Sequence, residues 1–224
     1  MFSESEIQEV FHSKVNLPDS YFQKYYEVPK CPIKSWGYSW GNRDFPRVWS
    51  ILDFKEWIEK HNISKGEDLA ITCDTDPELE FLDYKSVDYF PYPGYDLHTF
   101  KSEKKFDFFL FNQTLEHLYN PFICVKNIYD VVKPGGYVFT SVPTLNIPHM
   151  VPFHFNGYTP MGLAMLFKSV GFEVVEIGQW GNHEYITKLW GNQSWPGYDN
   201  LQKNNKVSNE RLNVCQCWIL AKKP

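Results

Sequence analysis

The turn within LAITCDTDPELEFL, residues 69–82, contains no glycine. It joins an apolar run to what reads as a helix start. In many proteins that bind nucleotide cofactors this turn is glycine-rich, because glycine alone takes left-handed backbone angles freely and lets a ligand approach the main chain. Its absence leaves two readings: a turn that binds in another way, or one that has lost binding. Other things are missing too. No apolar run is long enough to span a bilayer, so no membrane association is expected. The first residues, MFSESEIQEVF, are acidic and lack the basic start and apolar core of a secretory signal, which predicts a cytoplasmic protein. Positive charge is not in excess. A net charge of -5 over 224 residues gives no general attraction to nucleic acid or to an anionic membrane surface. There is no internal repeat and no low-complexity tract.

The five cysteines, Cys31, Cys73, Cys124, Cys215 and Cys217, are odd in number and lack framework spacing. They read as free thiols of a reducing compartment. Cys215 and Cys217 form a C-x-C pair inside an apolar run. They read as two side chains on one strand face rather than as a metal site, which would want further ligands nearby. No metal is expected.

What is present alternates between strand and helix patterns. Asp44 can cap a helix starting near Pro46, with Val48, Ile51, Leu52, Phe54, Trp57 and Ile58 on one apolar face. Strands are expected at DLAITC (68–73), KSVDYF (85–90), FDFFLF (106–111), YVFTSV (137–142), FEVVEI (172–177) and VCQCWILA (214–221), with YDLHTF (95–100) as a further short one. Asp76-Pro77-Glu78, Asn120-Pro121 and Thr159-Pro160 open helices, and Gly171 ends the last of them. FDFFLF is almost wholly apolar, as expected when both faces of a sheet are covered. The pattern predicts an α/β fold with a mainly parallel sheet and helices on both faces. An aromatic-rich cap with the first helix is assigned to 1–62 and the core to 63–224. The long polar segment 178–213, with Trp180, Trp190 and Trp195, reads as a lid or small subdomain before the last strand. Trp36, Trp40 and Trp49 suit either a pocket cover or plain core packing.

FDFFLFNQTLEHLYNPFICVKNIYDVVKPGGYVFTSVP and the later PFHFNGYTPMGLAMLFKSVGFEVVE resemble the class I S-adenosylmethionine-dependent methyltransferases, in particular the type-11 group acting mostly on small molecules. The two blocks cover about residues 106–177, in the family's order and spacing. The resemblance implies a Rossmann-like fold with a seven-strand-type sheet whose last strand is antiparallel. It implies S-adenosylmethionine as cofactor. By position, Asp88, beside Tyr89 at the end of the second strand, would meet the ribose. Asp96 and Leu97 would meet the adenine edge. Asn112 and Gln113 would meet the amino-acid part, with His117 at the mouth. The family's first turn carries glycines where this chain has Thr72, Asp74 and Asp76, with Cys73 between. Acidic residues there repel the phosphate of NAD, FAD or ATP, but not a cofactor with a sulfonium and an ammonium.

Methyl transfer from a sulfonium is an in-line displacement, and a hydroxyl or amine acceptor must lose a proton. The loop TLNIPHMVPFHFNGYTP borders the acceptor in the resembling enzymes. His154 is the first candidate base, His149 the second and His117 the third. The family's motif for methylating nucleic-acid amino groups is absent, so the expected acceptor is a small molecule or glycan precursor and not nucleic acid. Oligomeric state is open. A second reading is a degenerate fold kept as a binding or scaffold subunit, with the pocket blocked by Asp74, Asp76 or Tyr89. A third is a protein acceptor.

Overall fold

The computed structural model describes residues 2–73, 75–149, 153–202 and 208–224. Two short helices, α1 (Glu4–Val10) and α2 (Asp19–Gln23), precede the long α3 (Phe45–Lys60). Then come β1 (Lys65–Ile71), a 3₁₀ turn at Pro77–Phe81, β2 (Asp83–Tyr89), β3 (Phe106–Leu110), α4 (Pro121–Val131) and β4 (Val132–Pro143). The chain closes with α5 (Pro160–Val170), β5 (Glu173–Trp180), α6 (His183–Asn192), α7 (Tyr198–Gln202) and β6 (Gln216–Lys222).

The strands form one sheet in the order β2-β1-β3-β4-β6-β5. Every pairing is parallel except those of β6, which runs antiparallel to both β4 and β5. The last strand is therefore antiparallel, as expected. Among the described residues the sheet has six strands, because 95–100 is a loop rather than a strand. Leu97 and Phe100 are buried there, while the Asp96 carboxylate folds back to accept from the His98 N–H at 2.9 Å. That turn diverts the backbone from extension, so β2 stands at the edge of the sheet.

Side chains alternate along the central strands and build two cores. Phe109, Phe111, Ile219 and Ala221 face α4 and α5, whereas Phe108, Leu110, Trp218 and Leu220 face α3. Helix starts are set locally. Asn120 accepts from the Ile123 N–H at 3.3 Å and Thr159 from the Gly162 N–H at 3.1 Å, each with proline next. Gly171 ends α5 at φ 112°. Asp44 precedes α3 but makes no capping bond. Its buried carboxyl instead accepts from the Tyr185 hydroxyl at 2.5 Å, and burial pushes its pKa to about 6. The 178–213 segment thus packs its two helices beside the start of α3, with Tyr185, Leu189, Tyr198 and Leu201 buried in that core. Trp40 and Trp49 are buried in the same core.

One carboxylate fastens the N-terminal segment to the sheet. Asp53 on α3 is fully buried. It accepts from Tyr21 Oη (2.8 Å), Lys24 Nζ (2.8 Å), Tyr25 Oη (3.2 Å) and Trp218 Nε1 (3.0 Å). A Cβ on Gly178 would lie 2.1 Å from the Trp218 Nε1, so only glycine leaves that bond its path. Asp53→Ala leaves the buried Trp218 Nε1 without an acceptor and removes the charge that draws Lys24, Tyr21 and Tyr25 together. It is expected to lower the unfolding free energy by about 3 kcal/mol, measured as a fall in the urea midpoint at unchanged m-value.

Candidate active site

A cavity of about 580 Å³ opens beyond the carboxyl ends of β1, β2 and β3, where open α/β sheets hold ligands. Small-molecule pockets run from about 300 to 1,000 Å³, so the space suits a cofactor or a comparable ligand. Thr72, Cys73 and Asp76 line one side, and Asn112, Gln113 and Thr114 the base. Tyr89, Tyr92, Tyr95, Tyr119, Phe153 and Phe155 border it with half-exposed rings.

At its described residues the glycine-free turn keeps ordinary backbone angles. None of its described residues has a positive φ; the non-glycine residues that do are Tyr38, Asn62, Gln113 and Gln193. Asp74 lies outside the described residues. The turn is held from behind by Arg47, the third residue of α3. Its Nη2 stands 3.0 Å from Glu78 Oε2 and 3.6 Å from Asp76 Oδ1, and its Nη1 donates to Ser141 Oγ at 2.8 Å. Two buried carboxylates thus share one guanidinium. Burial, and then the charge of Glu78, push Asp76 up to about 7 against the pull of Arg47.

Several buried polar atoms here have no partner: Thr72 Oγ1, Asp76 Oδ2, Glu78 Oε1 and Asn112 Nδ2. Asn112 is near enough to lower the Asp76 pKa, yet its amide nitrogen makes no bond of hydrogen-bond geometry. Native proteins rarely bury so many unmet groups without a ligand or water to meet them. Thr72, Asp76 and Asn112 all line the cavity. Their chemistry, acceptors with excess negative charge plus an amide, fits the zwitterionic, cationic amino-acid end of S-adenosylmethionine.

The base of the cavity is rigid. Asn112 Oδ1 accepts from the Ser141 N–H (2.9 Å) and hydroxyl (3.1 Å). Gln113 sits at φ 49°, donating its N–H to Ser141 O at 2.8 Å and its amide to Ser141 Oγ at 3.1 Å. A left-handed non-glycine residue costs on the order of 1–2 kcal/mol, and such strain gathers at functional sites.

The two expected adenosine carboxylates differ in placement. Asp96 and Leu97 line the cavity. The Asp96 pKa is raised by burial but lowered more by bonds from the His98 N–H and ring, a net fall. Asp88 does not line it, although Tyr89 does. Its carboxylate is 2.5 Å from Lys104 Nζ, which also reaches Asp68 at 3.0 Å. The three histidines are brought together. Ring centroids are 4.9 Å apart for His117–His149 and His149–His154, and 6.2 Å for His117–His154. Among them His117 lines the cavity. Burial lowers the pKa of His117 and of His154, with neighbouring histidines adding to the effect.

Residues 51–177, more than half of the chain, match the family model described as a methyltransferase domain. The chain belongs to the methyltransferase-domain family. No curated protein matches it. An S-adenosylmethionine-dependent methyltransferase from Clostridium acetobutylicum aligns over 76% of this chain and 89% of its own, at 11% identity and a TM-score of 0.50. A possible exported protein from Bordetella parapertussis aligns over 80% and 68%, at 11% identity and a TM-score of 0.51. The N-methyltransferase NodS from Bradyrhizobium japonicum, solved with S-adenosyl-l-homocysteine, aligns over 86% and 98%, at 13% identity and a TM-score of 0.48. At these identities the likeness establishes fold alone. The methyltransferase has the Rossmann-like class I fold, and S-adenosylmethionine is the cofactor that goes with this family.

Arg47, Glu78 and Ser141 carried no signal in the sequence as site residues, and Glu116 entered only as part of the Leu-Glu-His motif ending at His117. Arg47 and Glu78 are 31 residues apart, and nothing local links them. One consequence of the Arg47 cluster is measurable. The Asp76 pKa is raised from 3.8 to about 7 by folding. Its neutral form therefore favours the native state: that contribution is full below pH 3.8 and lost as pH rises through about 7. Asp76→Asn is expected to raise stability at pH 8.5 by on the order of 2 kcal/mol and to change it little below pH 4. Thermal melts across this range check it, and a wild-type pH slope surviving in the variant would overturn it.

Proposed function

We propose that this methyltransferase moves a methyl group from S-adenosylmethionine to a hydroxyl or amine of a small-molecule or sugar-type acceptor, with histidine assistance. The observation that carries this reading is the cavity itself. Unmet acidic and amide groups stand at the first turn, aromatic rings at the border, and a histidine cluster at the acceptor loop.

In this reading Asp76 and Thr72 receive the ammonium, and Asn112 the carboxylate, of the methionine part. The acidic surround stabilises the sulfonium until the methyl leaves. Asp96 and Leu97 meet the adenine, and the aromatic border keeps water from the reacting atoms. His154 takes the acceptor's proton. Its Nε2 is 3.2 Å from Asn156 O, which assigns the N–H to that nitrogen and leaves the lone pair on Nδ1 as the basic site. The degenerate alternative had Asp74, Asp76 or Tyr89 blocking the pocket. Asp76 and Tyr89 instead line an open one, which favours catalysis.

S-adenosylhomocysteine at millimolar concentration is expected to raise the melting temperature; no shift would sink the cofactor assignment. By titration calorimetry, Asp76→Asn should weaken its binding about tenfold or more, the loss of a charge-assisted bond. Asp88→Ala should cost less, since Lys104 already holds that carboxylate. His154→Gln should lower kcat by roughly 100-fold or more with that binding unchanged. Equal rates in variant and wild type would remove His154 from the mechanism.

A further inference from the structure

In the methyl-transfer reading His154 moves the proton, and no step is given to the cluster of Glu116, His117 and His149. Each offers one ligand atom, and the three atoms lie within 4.8 Å of one another. The hydrogen bonds fix which atoms are free. His117 Nδ1 is 2.8 Å from Phe153 O, and His149 Nδ1 is 3.2 Å from Ile147 O. Each of these nitrogens carries its proton toward a carbonyl, so each Nε2 keeps a lone pair. Metal-ligating histidines show this arrangement, with the second nitrogen donating to a backbone carbonyl or carboxylate.

The third member is a carboxylate with little else to do. Glu116 is 1% exposed, its Oε2 has no partner, and its Oε1 is 3.8 Å from His117 Nε2. Two imidazoles and a buried carboxylate oxygen thus converge, an arrangement that suits a cation. The frame is preformed. Glu116 O accepts from the Phe155 and Asn156 N–H groups at 2.7 and 3.3 Å. Asn156 Nδ2 donates to Leu118 O at 2.7 Å. These bonds fasten the acceptor loop to the turn that carries Glu116 and His117.

We propose that Glu116, His117 and His149 bind a divalent first-row transition-metal ion, zinc foremost, on the wall of the acceptor cavity. Two imidazoles and one carboxylate are a ligand set of catalytic zinc sites and of their iron relatives. Magnesium and calcium take oxygen-rich sets instead. Three protein ligands would leave positions open for a further ligand, and His117 places the cluster at the edge of the cavity. The ion's role, though not its presence, rests on the methyl-transfer reading: it would hold the acceptor's oxygen or nitrogen and make its proton easier for His154 to remove.

The test uses the full chain without a polyhistidine tag, stripped with EDTA and titrated with Zn²⁺ and, for its visible spectrum, Co²⁺. About one ion per chain is expected, with affinity falling roughly 100-fold in Glu116→Gln and in His149→Ala. Both variants should keep the S-adenosylhomocysteine melting shift, which shows them folded. Absence of stoichiometric binding by the wild type overturns the proposal, and so does binding undiminished in either variant. Metal failure with an intact S-adenosylhomocysteine shift leaves the methyltransferase reading standing. Metal binding without that shift sinks the cofactor assignment and keeps the metal site.

Discussion

The contact between Arg47 and the turn after β1 is the constraint on which the cofactor end of this protein depends. A glycine loop shapes a ligand site by letting the backbone bend where side chains cannot. Here the backbone stays in ordinary conformations at the described positions, and a cation on a helix does the shaping. The guanidinium draws Asp76 and Glu78 inward and ties them to Ser141 at the end of β4. Ser141 in turn bonds Asn112 and Gln113 at the end of β3. Three strand ends are set relative to one another through one side chain. The cost is a surplus of buried negative charge, and a cationic ligand is what relieves it.

Helix α3 carries two of the buried charge centres. Arg47 near its start organises the site, and Asp53 near its middle organises the N-terminal segment and Trp218 of β6. A buried charge is stable only with its partners in place. The two centres therefore fix where α3 lies on the sheet more narrowly than its apolar face alone, which could slide without leaving any group unmet.

Much of the fold was legible, for physical reasons. Apolar runs such as FDFFLF can only be doubly covered strands, and Asn120-Pro121 and Thr159-Pro160 announce helix starts by local chemistry. The antiparallel last strand came from the likeness of two blocks to a family. Asp44 misled as a cap because its fate is decided by Tyr185, 141 residues away. The loop at 95–100 misled because Asp96 bonds its own neighbour. In the site, Asp96, Asn112, Gln113 and His117 were visible by position. Arg47 and Glu78 were not, and Glu116 only as the middle of the Leu-Glu-His motif, because their importance lies in burial and in groups left unpaired, and no spacing in one dimension records either.

The sheet ends at β2, where the expected third strand would have lain. An open strand edge is a template on which another chain can pair. On this one, Lys65 faces Asp83 and Lys85 faces Glu67 across the β1–β2 pairing, all four largely in water. A second chain adding itself there would have to strip water from Asp83 and Lys85 and meet their charges with matching ones. The sheet has thus replaced a missing neighbour with a hydrated border, on which pairing by a further strand carries a desolvation cost.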